Sequence, residues 1–513
     1  MMGRQTKTDP RLFYYNINLE NRVPAKHILR TIKETIDFDF VYKQVNDCYG
    51  HIGNVSVPPP VILKMMLLLF LYDVRSEREL METIPLRLDW LWFLGYDLDS
   101  DIPNHSVLSK ARIRWGVDVF ESLFAQVVGQ CLLAGLVDGS KIHVDGSLID
   151  ANASNNSIVK GSSELIEQLR DQLRTETSKL DDPIDEPSNR PKKYYNRKNK
   201  GMVSMTDPDS AIVRQGKGQP RARYKSHRVV DDRVGVITAV ETTSGDVEEN
   251  SKLMDLVDQH SRNTDSEVDT VVADTQYGTA DNFRQCHERQ IRSHMGDLLA
   301  PQAKKGRREG IFGYDDFLYD ARTDTYTCPA GQILTRRKHK KTRNAFEYAC
   351  SKSICQGCHL RSNCTRAKHG AARTIKRHYN HEAVDAARKQ SHSYAAKRDR
   401  RRRKWLMEGS FGDATTRHGF KRARWRRLWR QQIQDYLIAT VQNIRILMRH
   451  LHTRPAQASA LALINESLMD LSDAIVNIMF SIVGLVFHDI GYCLDSAWQK
   501  MKLQVDRRLV PVR

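Results

Sequence analysis

The sequence has no hydrophobic run long enough to cross a lipid bilayer. Its two most apolar segments, residues 61–72 and 474–487, are shorter than the roughly 20 residues that a transmembrane helix needs. Each also contains a polar side chain, Lys64 in the first and Asn477 in the second. The amino-terminal residues are polar and charged and lack the apolar centre of a secretory signal. We therefore expect buried helices, no membrane association and a cytoplasmic location.

Cysteine is scarce and unevenly placed. Of the nine cysteines, five fall between residues 328 and 364, and the other four are scattered. Disulfide frameworks belong to small exported domains, whereas this chain is long and shows no export signal. The cluster therefore indicates a metal site or a group of reduced thiols.

Acidic residues are too few to balance the basic ones. Lys and Arg number 80 against 62 Asp and Glu, which gives a formal charge of +18 and a pI near 9.4. Nucleic acids and anionic membranes would both attract such a chain. Residues 397–430 hold 14 of the cations and only three acids, one of which is Glu408. Glu408 could bind a metal ion while the surrounding cations attract phosphate. DNA is therefore the favoured partner.

The length of the chain and its hydrophobic pattern predict several units. With 513 residues and 40% apolar side chains, we expect two to four domains with substantial cores. Residues 1–138 have apolar positions at helical spacing and predict a mainly helical domain. Its short helices could include a helix-turn-helix, or they could pack together without touching DNA. A helical tail is expected over residues 452–513.

From residue 139 the pattern changes to short strands. Over residues 139–300 three strands are followed by a helix, a fourth strand and another helix, which predicts a sheet with helices against it. A polar stretch over about 154–223 is expected to be an insertion or mobile connection with one amphipathic helix. Residues 301–372 carry the clustered cysteines, and residues 373–451 are expected to be helical.

Three carboxylates form the candidate site. Asp145 ends the strand-like run KIHVD, Asp274 ends DTVVAD, and Glu408 lies in the helical stretch KWLMEGSFG. Such a set can hold two hard divalent cations, Mg²⁺ or Mn²⁺, which activate water and stabilise a leaving oxygen in phosphodiester chemistry. Asp145 before Gly146 could instead be a turn residue, and Asp274 a helix cap. Glu408 has other acids close to it in sequence.

Several motifs occur in an order that is informative as a whole. They include LYDVRSERELMETI, HVDGSLIDANAS, VVADTQYGTADN, CQGCHLRSNC and MEGSFGDATTRHGFKRARWR. Together they resemble the DDE transposases of bacterial insertion sequences, in the group with a helical amino-terminal domain and a cysteine-rich insert before the glutamate. The resemblance implies an α+β or α/β fold with a ribonuclease-H-like core, a mixed sheet flanked by helices. It also implies that Asp145, Asp274 and Glu408 are the catalytic metal ligands.

The surroundings of the glutamate depart from the family pattern. Related transposases often read Y-x2-R-x3-E-x6-K, and the corresponding residues here are Arg401, Lys404 and Thr415. Lys404 keeps the charge four residues before the glutamate, on the same helix face. Thr415 replaces the lysine expected to position a DNA end, although Arg417 and Lys421 lie nearby.

The cysteine cluster permits two interpretations. Cys355 and Cys358 have the C-x2-C spacing of a zinc half-site, and Cys328, Cys350 and Cys364 could supply the remaining ligands. The alternative is a knuckle of reduced thiols that packs without metal. The spacing leaves both open, because a second C-x2-C is missing.

The basic run KRDRRRRK at residues 397–404 could be a solvated charged face, as many such runs are. Its proximity to Glu408 and the interleaved Trp405, Trp425 and Trp429 favour phosphate contact and base stacking. The residues expected to bind DNA are Arg400, Arg401, Arg402, Arg403, Lys404, Arg417, Lys421 and Arg424.

The function expected from this combination is DNA transposition. A homodimer on bacterial nucleoid DNA would cut at terminal inverted repeats and join the freed 3′ ends to target DNA. Residues 1–138 are the candidate for recognising the repeats. Two alternatives remain: a metal-dependent nuclease of the same fold that cuts without joining, and a non-catalytic DNA-binding derivative.

Overall fold

The computed structural model describes residues 2, 18–50, 55–180, 201–296, 310–340, 345–366 and 371–453. The apolar segment at 474–487 and nearly all of the expected tail lie outside the described residues. Among the described helices, none alone is both long and apolar enough to cross a membrane. Two consecutive helices, Ser106–Trp115 and Asp118–Leu133, reach the necessary length and apolar character only when they are counted as one segment. The chain bends by 88° between them.

The amino-terminal part is helical, as predicted. Its α-helices are α1 Leu19–Arg22, α2 Ile28–Thr35, α3 Phe40–Val45, α4 Pro59–Leu71, α5 Glu77–Thr83, α6 Leu88–Leu94, α7 Ser106–Trp115 and α8 Asp118–Leu133. Helix α4 contains residues 61–71 of the apolar segment predicted to be a buried helix, and all of its residues except Lys64 are buried. Proline is well tolerated in its first turn, where the missing N–H has no helical partner.

A six-stranded mixed sheet follows. Its strands are β1 Lys141–Asp150, β4 Ala211–Val213, β5 Arg221–Asp231, β6 Ile237–Ser244, β7 Thr270–Val272 and β8 Arg292–His294. The order is β4-β5-β1-β7-β8, with β6 also paired to β5; β1, β7 and β8 run parallel and the β5 pairings are antiparallel. Helices α10 Leu253–Thr264 and α11 Ala280–Glu288 follow β6 and β7. The predicted mixed arrangement of strands and helices is confirmed.

The polar stretch at about 154–223 is more structured than predicted. It contains the expected amphipathic helix, α9 Ser163–Leu180, and also a small pair of strands, β2 Ile158–Lys160 and β3 Met202–Ser204. Strand β4 and the start of β5 also lie in this stretch and belong to the main sheet. Short strands with charged exposed positions gave little alternation in the sequence, so the pattern pointed to a loop.

The cysteine-bearing region forms a second, antiparallel sheet. Its strands, in spatial order, are β13 Ile375–His378, β12 Ala345–Ala349, β11 Ile333–Lys340, β10 Thr325–Thr327 and β9 Leu318–Asp320. Two short helices, α12 Lys352–Gln356 and α13 Arg361–Cys364, lie between β12 and β13. Three longer helices complete the described chain: α14 His381–His392, α15 Tyr394–His418 and α16 Leu428–Thr453.

One hydrophobic core joins the amino-terminal helices to the rest. Leu68 of α4 and Phe124 of α8 belong to the same buried cluster as Ile237 of β6 and Leu437 of α16. Helix α16 packs against α8, β6 and α4. The sequence boundary near residue 138 therefore marks a change from helices to strands within a continuous core. Deleting residues 1–138 would expose this apolar surface, so truncation is a poor way to isolate their function.

The start of α16 is held by two aspartates from the polar stretch. Asp207 is fully buried and accepts hydrogen bonds from the Tyr224 hydroxyl at 2.6 Å and the Arg427 amide at 3.2 Å. Asp209 accepts one from the Leu428 amide at 3.2 Å. Burial raises the pKa of Asp207 to about 6, although the hydrogen bond from Tyr224 opposes the rise.

This raised pKa predicts a pH-dependent difference between the protein and its Asp207→Asn variant. A carboxyl group whose pKa is raised on folding favours the folded state below its unfolded pKa near 3.8, and that advantage is lost as pH rises through about 6. The unfolding free energy of the native protein relative to the variant should therefore fall by up to about 3 kcal/mol from pH 4 to pH 7. Denaturant titrations of both proteins would measure it; a constant difference would contradict the assignment.

Candidate active site

The first two predicted acids lie side by side at one edge of the main sheet. Strands β1 and β7 are parallel, with His143 opposite Val272. Extending that register by two residues places Asp145 beside Asp274, just after β7 ends. The Asp274 carboxylate accepts a hydrogen bond at 2.7 Å from the Gln276 amide and so caps a 3₁₀ helix. The structure thus brings these two carboxylates together.

A third carboxylate that the sequence did not reveal completes this group. Glu249 lies at the start of a 3₁₀ helix, Glu249–Lys252, between β6 and α10. One carboxylate oxygen from each of Asp145, Glu249 and Asp274 lies within 4.8 Å of the others. Glu249 was missed because it lies in a loop with several acids, and no periodic pattern predicts which of them faces the sheet edge.

Cations balance part of this negative charge. Arg403 Nη1 lies 2.7 Å from Asp145 Oδ2, and Lys225 Nζ lies 3.3 Å from Glu249 Oε1. Burial is the main cause that raises the pKa values of Asp145 and Glu249, and these two cations partly offset it. The site therefore presents hard oxygen ligands in a partly desolvated, charge-compensated setting. Such a donor set suits a divalent cation of the Mg²⁺ or Mn²⁺ type.

Helix α15 is fixed across the sheet by charged side chains about one turn apart. Buried Asp399 contacts His294 of β8 at 2.8 Å and Lys141 of β1 at 3.4 Å. Arg402 donates to Asp232 at 2.7 Å, and Arg403 reaches Asp145 one residue later. The ion pairs hold the helix at the edge where the carboxylates meet.

Glu408 is on this helix but outside the group of three carboxylates. Its side chain is 69% exposed, and its nearest cation is Lys404 Nζ at 3.9 Å. It follows Arg403 by five residues, which is about 7.5 Å along a helix axis. An added Cβ on Gly409 or Gly412 would meet no atom within 4 Å apart from the adjoining residues and the backbone of its own helix, so the surface beside Glu408 is open.

The outer face of α15 carries a line of exposed aromatic, basic and acidic side chains. Tyr394, Arg398, Arg401, Trp405 and Glu408 follow one another at spacings of three or four residues. All five are exposed, Tyr394 by 82% and Trp405 by 71%. We call these five residues the exposed stripe. It ends at Glu408.

The other cations expected to bind DNA differ in how strongly the protein holds them. Lys404 and Arg417 are exposed and lie near acids of their own helix, Glu408 at 3.9 Å and Asp413 at 3.3 Å. Lys421 donates to the Ser147 hydroxyl at 2.7 Å.

The remaining expected DNA contacts face the protein. Arg400 is half-buried, and Arg402 and Arg403 form the ion pairs described above. Arg424 donates to Asp73 at 2.7 Å. Among the tryptophans, Trp425 donates to Glu77 at 3.1 Å and packs against the core, so it is not free to stack on a base.

The clustered cysteines line one cavity. Their side chains surround it together with Phe317, Leu334 and Ile354; the cysteines are Cys328, Cys350, Cys355, Cys358 and Cys364. The Sγ atoms of Cys350 and Cys355 lie 2.9 Å apart. Burial raises the pKa of Cys350 to about 12, so without a metal this thiol is protonated at neutral pH.

Two family models match the chain. Residues 17–114 match the family described as Transposase domain (DUF772), and residues 327–448 match the family described as Transposase DDE domain. The first match spans α1 to nearly the end of α7, and the second contains the cysteine cluster, α15 with Glu408 and most of α16. No curated protein matches the sequence significantly.

Proposed function

The chain belongs to the DDE transposases of the insertion-sequence type, as its two transposase matches show, and from this we propose how it acts on DNA. It catalyses divalent-metal-dependent cleavage at the ends of an insertion sequence and transfers the strand into target DNA. A ribonuclease-H-like core supports the chemistry. The observation that carries the proposal is the β1–β7 register, because it sets Asp145 beside Asp274 at one sheet edge.

The residues fit the metal that such chemistry uses. We propose that Asp145, Asp274 and Glu408 hold it, with Glu408 contributed by α15. The bound cations would lower the pKa of a water nucleophile and stabilise the leaving oxygen. Arg403 neutralises Asp145 and fixes its orientation, and the ion pairs of α15 keep Glu408 near the same edge.

The exposed stripe is the proposed surface for the DNA backbone. Its arginines and nearby Lys404 attract phosphates, and Trp405 offers an uncovered ring for stacking. We propose that terminal inverted repeats are recognised mainly by the amino-terminal helices. Because transposition acts on two ends, the working form is proposed to be a homodimer.

A joining assay separates this function from a nuclease that only cuts. Labelled DNA carrying the element's own cleaved end is incubated with a supercoiled target and Mg²⁺. The expected product has the 3′ end covalently joined to target DNA, and EDTA should abolish it. Cleavage without any joined product would favour the nuclease. The absence of both reactions with intact DNA binding would favour a non-catalytic derivative.

Neutralising the exposed cations is expected to flatten the salt dependence of DNA binding. Arg401→Gln and Lys404→Gln should each reduce the slope of log K against log salt by about 0.9, because each removes one phosphate contact. Arg402→Gln is the matched control within the same run, since its guanidinium is bonded to Asp232. Fluorescence anisotropy with specific and random duplexes measures the slopes. Equal slopes for all variants would contradict phosphate binding by this face.

We further propose that the cysteine cavity binds a structural zinc through four of its five thiolates. Reduced, folded protein should contain about one zinc per chain, and Cys355→Ser or Cys358→Ser should lose it. Cys48→Ser is the control, because Cys48 lies outside the cluster and its thiol donates to the Arg114 carbonyl at 3.4 Å. Metal analysis that finds no zinc in folded protein would favour the metal-free thiols.

A further inference from the structure

Gly146 gives Glu249 access to the other two carboxylates. A Cβ at position 146 would lie only 3.0 Å from both Cγ and Cδ of Glu249. A residue with a side chain after Asp145 would therefore require the Glu249 side chain to shift by a few tenths of an ångström. The Gly146 amide also donates to Asp145 Oδ1 at 2.9 Å. Gly146 thus orients the Asp145 carboxylate and leaves room for the Glu249 carboxylate.

A buried hydroxyl beside the carboxylates has no partner in the described structure. The Tyr277 side chain is fully buried, and its Oη atom makes no hydrogen bond. Burial raises its pKa well above the ordinary value, and the charges of Glu249, Asp145 and Asp274 add to the rise. The hydroxyl therefore lies in the field of all three carboxylates as a protonated donor. A buried hydroxyl without a partner is destabilising, so a hydrogen-bond acceptor in the occupied site is expected for Tyr277.

One buried side chain ties together the two loops that carry these groups. Asn282 is 3% exposed, and its Nδ2 atom donates to the carbonyls of Asn250 and Tyr277, both at 2.9 Å. Asn250 follows Glu249, and Tyr277 closes the 3₁₀ helix that begins after Asp274. The positions of Glu249 and Asp274 are therefore coupled through Asn282.

From this geometry we propose that Glu249 is an additional metal ligand, which with Asp145 and Asp274 holds a divalent cation in the DNA-free protein. The Tyr277 hydroxyl donates a hydrogen bond to an oxygen of that site. Glu408, which is exposed on α15, becomes a further ligand of the site when DNA is bound. This inference rests on the proposed function, because it assigns a further ligand to the same site.

The competing explanation is that Glu249 serves only as the ion-pair partner of Lys225. Lys225→Met separates the two roles, because it removes the cation and keeps the Glu249 carboxylate. It also removes the hydrogen bond from Lys225 Nζ to the Val247 carbonyl at 2.9 Å, so the variant's melting temperature is compared with that of the native protein. If Glu249 matters only through the ion pair, Lys225→Met and Glu249→Gln should change the Mn²⁺ affinity to the same extent. If Glu249 binds metal, Lys225→Met should retain or strengthen metal binding, whereas Glu249→Gln should weaken it.

The test is an Mn²⁺ titration of the full-length DNA-free protein, with free Mn²⁺ followed by electron paramagnetic resonance. Glu249→Gln should weaken binding at least tenfold, as should Asp145→Asn. The adjacent Glu248→Gln is the control and should stay within twofold of the native protein. Tyr277→Phe and Gly146→Ala should each weaken binding severalfold. Melting temperatures without metal identify variants that fail to fold.

The outcomes distinguish this inference from the proposed function. If Asp145→Asn and Asp274→Asn weaken Mn²⁺ binding but Glu249→Gln does not, Glu249 is an ion-pair residue and the inference is overturned. If none of the three changes affects binding in folded protein, the proposed metal site itself fails. If Lys225→Met lowers Mn²⁺ affinity as much as Glu249→Gln, the effect is structural, which also overturns the inference.

Discussion

Replacing Asp145 or Asp274 with asparagine is expected to lower DNA cleavage about a thousandfold or more. Asparagine keeps the shape of the side chain but removes the charge that binds a divalent cation. A thousandfold loss of rate corresponds to an increase of about 4 kcal/mol in the activation free energy. DNA affinity should persist or rise slightly, because a negative charge is removed near the phosphates. Single-turnover cleavage and anisotropy on one preparation measure both quantities.

The matched control for this experiment is Asp232→Asn. Asp232 and Asp145 have similar side-chain exposure, 24% and 25%, and each pairs with an arginine of α15 at 2.7 Å. Asp232 is absent from the carboxylate group, so its variant loses an ion pair that positions α15 but no proposed metal ligand, and its cleavage rate should fall far less than that of Asp145→Asn. Comparable losses in Asp145→Asn and Asp232→Asn would mean that the ion pairs to α15, and not metal binding, explain the effect at Asp145.

Glu408→Gln is expected to reduce cleavage about a hundredfold or more and to leave the fold intact. The side chain is exposed and, within the part of the chain that the structure describes, its one ion pair is the long contact with Lys404, so its removal costs little stability. Its proposed role requires the carboxylate charge at the DNA-facing end of the site. The rate of cleavage under single-turnover conditions provides the measurement.

Glu382→Gln is the control for this second change. Glu382 is 91% exposed in the first turn of α14, and its nearest arginine contact is at 3.9 Å. It should cleave normally. Should Glu408→Gln also cleave normally while Glu249→Gln is inactive, the third acid of this transposase would be Glu249, and α15 would serve DNA binding alone.

The sequence draws attention to the two aspartates because each follows a short apolar run. Asp274 lies two residues beyond the end of β7, but the prediction that Asp145 ends a strand is wrong, because β1 continues to Asp150 and Asp145 lies in its middle. The β1–β7 pairing stops at His143 and Val272, and the two carboxylates approach within 4.8 Å of each other beyond it. Glu249 could not be found in this way. Its position depends on how a loop returns over Gly146, which is a tertiary contact that local pattern does not encode.

The basic run shows a similar limit. Four consecutive arginines were all expected to contact phosphate, yet Arg402 and Arg403 point to Asp232 and Asp145. Arg403 is largely buried, whereas Arg402 is 40% exposed and is held at the surface by Asp232. Helical periodicity separates Arg403 from exposed Arg401, but which face of the helix meets the sheet could be decided only once the sheet was known. The amino-terminal helices are a second example. Their apolar faces predict that they are buried, but the sequence does not indicate that they pack against α16.

The most direct test of the central claim, that these aspartates bind the catalytic metal, is a change of metal preference in Asp274→Cys. Mg²⁺ favours oxygen ligands, whereas Mn²⁺ accepts sulfur more readily. The variant should cleave DNA at least a hundredfold more slowly than the native protein in Mg²⁺ and recover tenfold or more in Mn²⁺. Recovery should be absent in Asp274→Ala under the same conditions. Equal activity of the cysteine variant in both metals, close to that of the native protein, would contradict metal binding by Asp274.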